Sequence, residues 1–249
     1  MDNQTKIMTI ETSGRVGSVA IAAGEKLLQE ESFSGGLRHA GELLPTMERL
    51  VRQQGWQPGE VEQFYVSAGP GSFTGIRIAI TVAKTLSFAQ SIQIVPVCSI
   101  EALALNAENV NIDYLPDIRY VAVVLEAGRK QIFGALFEKV KDKKKSDEFL
   151  PGFRTIIKPK LMKPEELLAP SLRPLVLLGE GLKYHPDDFT QDQVFVLPEE
   201  FWQPHARNVH RCGWLRAQAG LFAATDELEP FYLRRPEAVE KWEKLHRGK

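Results

Sequence analysis

Polar and apolar positions follow two different periods along the first half of the chain. Residues 7–11, 16–22 and 26–33 are short apolar or alternating runs, parted by Ser13-Gly14-Arg15 and Ala23-Gly24-Glu25. Turns this short join antiparallel neighbours, so the chain is expected to open with a three-stranded meander. Over residues 39–53 the apolar Leu43, Leu44, Met47, Leu50 and Val51 recur at threes and fours, the period of an amphipathic helix. A strand over 63–67, a glycine-rich turn, a helix over 76–89 and a strand over 92–97 follow. Ser99 is placed to N-cap a further helix.

The pattern then starts again. Residues 120–125 and 131–137 read as strands around Glu126-Ala127-Gly128-Arg129-Lys130, and the lysine-rich stretch 140–148 reads as a solvated hairpin loop. Residues 152–157 give a third strand, and Pro164 opens a short helix from its first turn. Strands over 175–178 and 194–197 and a helix over 205–223 complete the set. No direct repeat exists, but the order strand-strand-strand-helix-strand-helix occurs twice. This predicts an α/β protein of two duplicated lobes, with ligands placed beyond the carboxyl ends of the strands. The expected limits are 1–105 for the first lobe, 106–228 for the second and 229–249 for a tail packing back on the first lobe. The tail carries a charged helical end over 237–247.

Composition narrows the function without choosing it. With 249 residues, 43% hydrophobic and 25% charged, the chain fits one large globular domain or two ordinary ones. A net charge of −1 provides no global basic field, so contact with RNA would need a local patch or a partner protein. Cys98 and Cys212 are far apart and read as small buried hydrophobes. Few cysteines, a polar start at Met1-Asp2-Asn3-Gln4 and no apolar run of membrane-spanning length lead to the expectation of a cytoplasmic protein.

The most informative motif is Ser67-Ala68-Gly69-Pro70-Gly71-Ser72-Phe73-Thr74-Gly75-Ile76-Arg77, a turn from strand to helix. Such a turn can present helix N-terminal amides to phosphate, or simply let two elements approach closely. The spacing of Gly69, Gly71 and Gly75 is one residue too long for a dinucleotide fingerprint, and no Gly-Lys-Ser/Thr makes it a P-loop. Both uses stay open. The helix that follows is apolar nearly all round, through Ile76, Ile78, Ala79, Ile80, Val82, Ala83, Leu86, Phe88 and Ala89. A helix of that kind is buried on more than one side. Its own sheet on one side and a partner protein on the other is the favoured reading, with a central core helix as the alternative.

Candidate chemistry is sparse. His205 and His210 are five apart and do not share a helix face, so the i, i+4 pairing of a helical metal site is missing. Glu11 and Glu126 end corresponding strands of the two halves. In two-lobed phosphotransferases acids at these places hold magnesium-bound water, but a strand-end Glu facing water fits the pattern as well.

The segments Ile7–Ser13 and Gly17–Ile21, Arg38-His39 with Leu43-Leu44-Pro45, the block 69–89 and the closing Glu229-Pro230-Phe231-Tyr232-Leu233-Arg234 together resemble the TsaB (formerly YeaZ) family. The resemblance is weak over 106–227, where only 121–129 and Leu178-Gly179-Glu180-Gly181 match. It implies a two-lobed fold of the actin, sugar-kinase and Hsp70 (ASKHA) type. It also implies a non-catalytic partner of the related TsaD, which transfers a threonylcarbamoyl group to adenosine 37 of ANN-decoding tRNA. A TsaE-like ATPase would complete the complex. This chain would form a homodimer when alone, meet tRNA only through the complex and need no cofactor, with ATP and magnesium handled by the partners. TsaD's metal-binding histidine pair has no counterpart here. The family's usual Asp is replaced by Glu11 and Glu126, and its Arg two residues after the second acid by Gly128. The resemblance assigns the partner interface to the first lobe's helices, expected at His39, Leu43, Met47, Ile76, Ala79, Ile80 and Ala83. Glu11, Ser13, Gly69, Gly71, Ser72, Thr74, Gly75 and Glu126 would be vestigial phosphate contacts. An ATP-dependent phosphotransferase of the same fold is the alternative.

Overall fold

The computed structural model describes residues 4–34, 39–108, 110 and 118–231. The first sheet is built from β1 (Lys6–Glu11), β2 (Ser18–Ala23), β3 (Lys26–Ser32), β4 (Gln63–Gly69) and β5 (Gln93–Cys98), in the order β3-β2-β1-β4-β5. β1, β2 and β3 are antiparallel neighbours, and β1, β4 and β5 run parallel. The second sheet is built from β6 (Tyr120–Glu126), β7 (Ile132–Lys139), β8 (Phe153–Met162), β9 (Leu175–Leu178) and β10 (Val194–Val196), in the order β10-β9-β6-β7-β8. Read in reverse this is the first order again, with the same directions. The two lobes are thus one topology used twice, the two-lobed α/β arrangement of the ASKHA type.

The helices differ between the lobes. α1 (His39–Gln53) and α2 (Phe73–Gln90) connect β3 to β4 and β4 to β5. At the matching places of the second lobe only short 3₁₀ turns occur, at Pro164–Leu167, Pro170–Leu172 and Glu180–Tyr184. The short helix expected at Pro164 is therefore a single tight turn. α3 (Ser99–Ala104) follows β5, and α4 (Ala206–Gln218) follows β10. α4 ends five residues earlier than its apolar periodicity, because Gly220 takes a positive φ of 75°. The Leu221 amide then donates to the Arg216 carbonyl and the Gly220 amide to the Ala217 carbonyl, a Schellman stop.

Side-chain alternation on β1 explains how the first sheet is covered. Met8 and Ile10 face a core made with α1 and α2, whereas Ile7 faces the other side, among residues of α4 and the second lobe. α4 packs across β1, β2, β4 and β5, so a helix from the far end of the chain closes the first sheet. Its Gly213 lies so close that a Cβ there would be 2.6 Å from the Tyr65 ring. No helix of the described residues is long and apolar enough to cross a membrane. The helical end expected over 237–247 lies outside the described residues.

Candidate functional site

The glycine turn is packed against the end of β1. The Ser72 amide donates to the Ser13 carbonyl at 2.7 Å, and the Thr12 hydroxyl donates to the Gly75 carbonyl at 2.8 Å. A Cβ at Gly71 would stand 2.5 Å from the Ser13 oxygen, and one at Gly75 would overlap the Thr12 carbonyl oxygen. Ser72 N-caps α2, its hydroxyl accepting from the Gly75 amide at 3.2 Å and its carbonyl from the Ile76 amide at 2.9 Å. On the other side the Phe231 amide donates to the Ala68 carbonyl at 2.7 Å. The second lobe repeats the joint: a Cβ at Gly179 would overlap the Val124 oxygen, and one at Gly181 would lie 2.7 Å from the Leu125 carbonyl carbon. In both lobes the glycines after the fourth strand let a turn rest on the end of the first strand. Thr74 is exposed beside this joint.

The two strand-end acids are engaged with their own turns. Glu11 is fully buried, and its Oε1 accepts from the Ser13 and Gly14 amides. Its Oε2 has no hydrogen-bond partner among the described residues. Burial pushes this carboxyl up from its ordinary range, opposed in part by its polar neighbours Ser13, Ser67 and Gly14. The Ser67 hydroxyl lies 2.6 Å from that of Ser99 and 3.4 Å from that of Ser13, a buried polar cluster beside the acid. Glu126 Oε1 accepts from the Gly128 amide at 2.6 Å, and its Oε2 lies 3.2 Å from Nε2 of His185. The other ring nitrogen of His185 lies 2.9 Å from Asp188.

Between the lobes the cleft is filled. Ser13, Gly14, Ser99 and Leu103 meet Leu125, Glu180, Trp202, Gln203 and Pro204 around a cavity of ≈ 10 Å³. A cavity needs roughly 10–15 Å³ to hold one water. Pro204 covers Gly14, where a Cβ would be 2.7 Å from its Cδ. The side chain of Asn106 donates to the Phe201 and Gln203 carbonyls at 2.8 and 2.7 Å, and Asn208 donates to Asn106 in turn. Burial raises the Glu180 carboxyl, with Arg15 and Lys183 opposing and Glu126 reinforcing the shift. A magnesium–nucleotide group does not fit this arrangement: its cleft is occupied by residues 202–204, and the acid of the first lobe is buried behind its own turn.

Six of the positions expected at a partner interface are buried within this chain. Leu43, Met47, Ile76, Ala79, Ile80 and Ala83 all lie in the core that α1 and α2 form with their own sheet. The side chain of His39 lies outside the described part. Leu44, placed by periodicity with the inward residues, is 56% exposed. The outward faces present Leu44 on α1, and Thr81, Thr85 and Phe88 on α2, with Phe88 88% exposed, while Ile78 and Val82 are half-buried against the same core. An amphipathic helix shows one strong apolar face, and its own sheet has first claim on it.

A family model described as TsaD, tRNA N6-adenosine threonylcarbamoyltransferase, matches residues 35–242. The Bacillus subtilis tRNA threonylcarbamoyladenosine biosynthesis protein TsaB is 25% identical over 239 residues, covering 95% of this chain and 97% of the relative. The chain belongs to the TsaB (YeaZ) family. Two solved structures of Pseudomonas aeruginosa proteins share its fold. One, described as similar to peptidase YEAZ, gives a TM-score of 0.76 at 22% identity, covering 92% of this chain and all of the other. The other, YeaZ, gives 0.71 at 21%, covering 90% and 99%.

Several residues that shape this TsaB-family cleft carry no sequence signal. Asn106, Gln203 and Pro204 meet partners about a hundred or more residues away, so no local spacing marks them. His210 is a buried structural histidine, its Nε2 3.0 Å from the Gly24 carbonyl and its ring stacked on Tyr65. Cys212 is buried and Cys98 half-buried, and burial pushes both thiols up to about 12. Two open grooves of ≈ 490 and ≈ 690 Å³ flank α4; in their walls Arg211 is paired with Glu108 and Arg207 with Glu30.

Proposed function

We propose that this chain serves tRNA threonylcarbamoyladenosine biosynthesis as a non-catalytic subunit that pairs with a TsaD-like catalytic homologue. The description carried by its Bacillus subtilis relative supports the pathway. The filled cleft supports the non-catalytic role: ≈ 10 Å³ admits at most one water, whereas group transfer needs two reactants held about 3–3.5 Å apart. The chain then acts through its surface, in the cytoplasm, and leaves ATP and magnesium to the partners, a TsaE-like ATPase among them. The outward faces of α1 and α2 form the pairing surface, and two copies use it when the partner is absent. Transfer of the threonylcarbamoyl group to tRNA, assayed with each subunit alone and with the mixture, tests the reading. Efficient transfer by the mixture and none by this chain alone is the expected result; transfer by the chain alone overturns it. Thr85→Arg with Phe88→Glu is expected to abolish pairing in size-exclusion chromatography while the circular dichroism spectrum stays unchanged.

A further inference from the structure

The near-zero net charge conceals a strong separation. Residues 119–163 carry twelve Lys and Arg against five Asp and Glu, a net of +7, while the rest of the chain carries −8. Much of this excess is exposed on β8 and on the connection that leads into it. β8 is the edge strand of its sheet and alternates between inward and exposed positions. Arg154, Ile156, Lys158 and Lys160 are each exposed, along a stretch where the register with β7 shifts twice. Lys141, Lys144 and Lys145 are exposed in the connection from β7 to β8.

Four of the five acids in this stretch are already engaged. Glu138 lies between Arg119 and Arg154, Asp142 accepts from the Lys144 amide, Asp147 from the Thr155 amide, and Glu126 from the Gly128 amide. Lys160 is paired with Glu166. Among the described residues Lys141, Lys144, Lys145 and Lys158 make no ion pair. Lysine on an edge strand also prevents strand addition, but the β7–β8 connection, which carries Lys141, Lys144 and Lys145, is not a sheet edge.

We infer that this lysine-rich stretch binds the phosphate backbone of a structured RNA. The inference rests on the proposed function, in which tRNA arrives with the complex, and adds a direct contact by this chain. Exposed lysines are mobile point charges that hold phosphates without reading bases, which suits positioning of an RNA whose sequence is read elsewhere.

The test uses the full chain, a fluorescent unmodified tRNA transcript and a salt series read by anisotropy. Wild type binds with an affinity that falls as salt rises. Lys144→Ala with Lys158→Ala reduces the slope of log affinity against log salt by about two, one for each lost phosphate contact. Arg15→Ala with Lys26→Ala removes the same charge from exposed sites on the other lobe and leaves the slope as it was. Equal effects of the two double variants, or no binding of the transcript by wild type, overturn the inference. So does loss of the catalytic partner by the first double variant with RNA binding unchanged, which makes the stretch a protein interface. Co-purification of the partner is scored separately, so a failure to pair counts against the proposed function, while lysine-dependent RNA binding stands or falls alone.

Discussion

At the scale of single residues, Glu11 and Gly75 show how differently one strand end can be used. Glu11 is a buried acid whose carboxyl is raised by desolvation. A raised carboxyl binds its proton more tightly in the native state than in the unfolded one. Stability therefore falls as pH rises from the ordinary carboxylate value through the raised one, and is level above it. Glu11→Gln keeps an acceptor for the Ser13 amide and removes the buried charge. It is expected to stabilise the protein by about 1 kcal/mol at pH 8 and by less at pH 5, measured by urea denaturation. A less stable variant at pH 8 would mean that the carboxylate is paired rather than merely buried. Gly75→Ala drives a methyl group into the Thr12 carbonyl, a backbone atom that cannot swing aside. It is expected to cost at least about 3 kcal/mol in the same measurement. A phosphate cradle with room at this turn would tolerate the change.

At the scale of elements, the clearest periodicities gave the truest limits. α1 runs over the residues its apolar spacing marks, and β1 to β5 follow their apolar runs to within a few residues. What periodicity cannot say is which neighbour an apolar face meets. Periodicity leaves Ile80 and Ala83 open to a partner or to a sheet, and in the folded chain α2 lies on β4 and β5 with both residues buried in that core. Ile80→Glu therefore buries an uncompensated charge in the monomer's own core. It is expected to cost about 3–5 kcal/mol and to lower the unfolding midpoint, rather than to separate a folded monomer from its partner. Size exclusion showing a well-folded, dissociated monomer for this variant would return Ile80 to the interface. The second lobe's 3₁₀ turns escape the same reading, because segments of three to five residues are shorter than one helical period.

At the scale of the whole molecule, the duplication was legible as an order of elements, while the dependence of one half on the other was not. The repeated order needs only local patterns. The packing of α4 on the first sheet joins residues such as Ala206 and Ser18, whose hydrogen bond at 2.9 Å spans 188 positions. Without α4 the first sheet would expose Ile7, Ala22, Tyr65, Val95 and Val97, all nearly or fully buried in the intact chain. An apolar face of that size is not left to water by a stable domain. A fragment of residues 1–105 is thus expected to remain unfolded or aggregate, although it holds a complete sheet and three helices. The full chain is expected to unfold in one transition, with circular dichroism and tryptophan fluorescence coinciding. Two separate transitions, or a fragment with a cooperative melt of its own, would show that α4 is an accessory to the first lobe and not its missing layer.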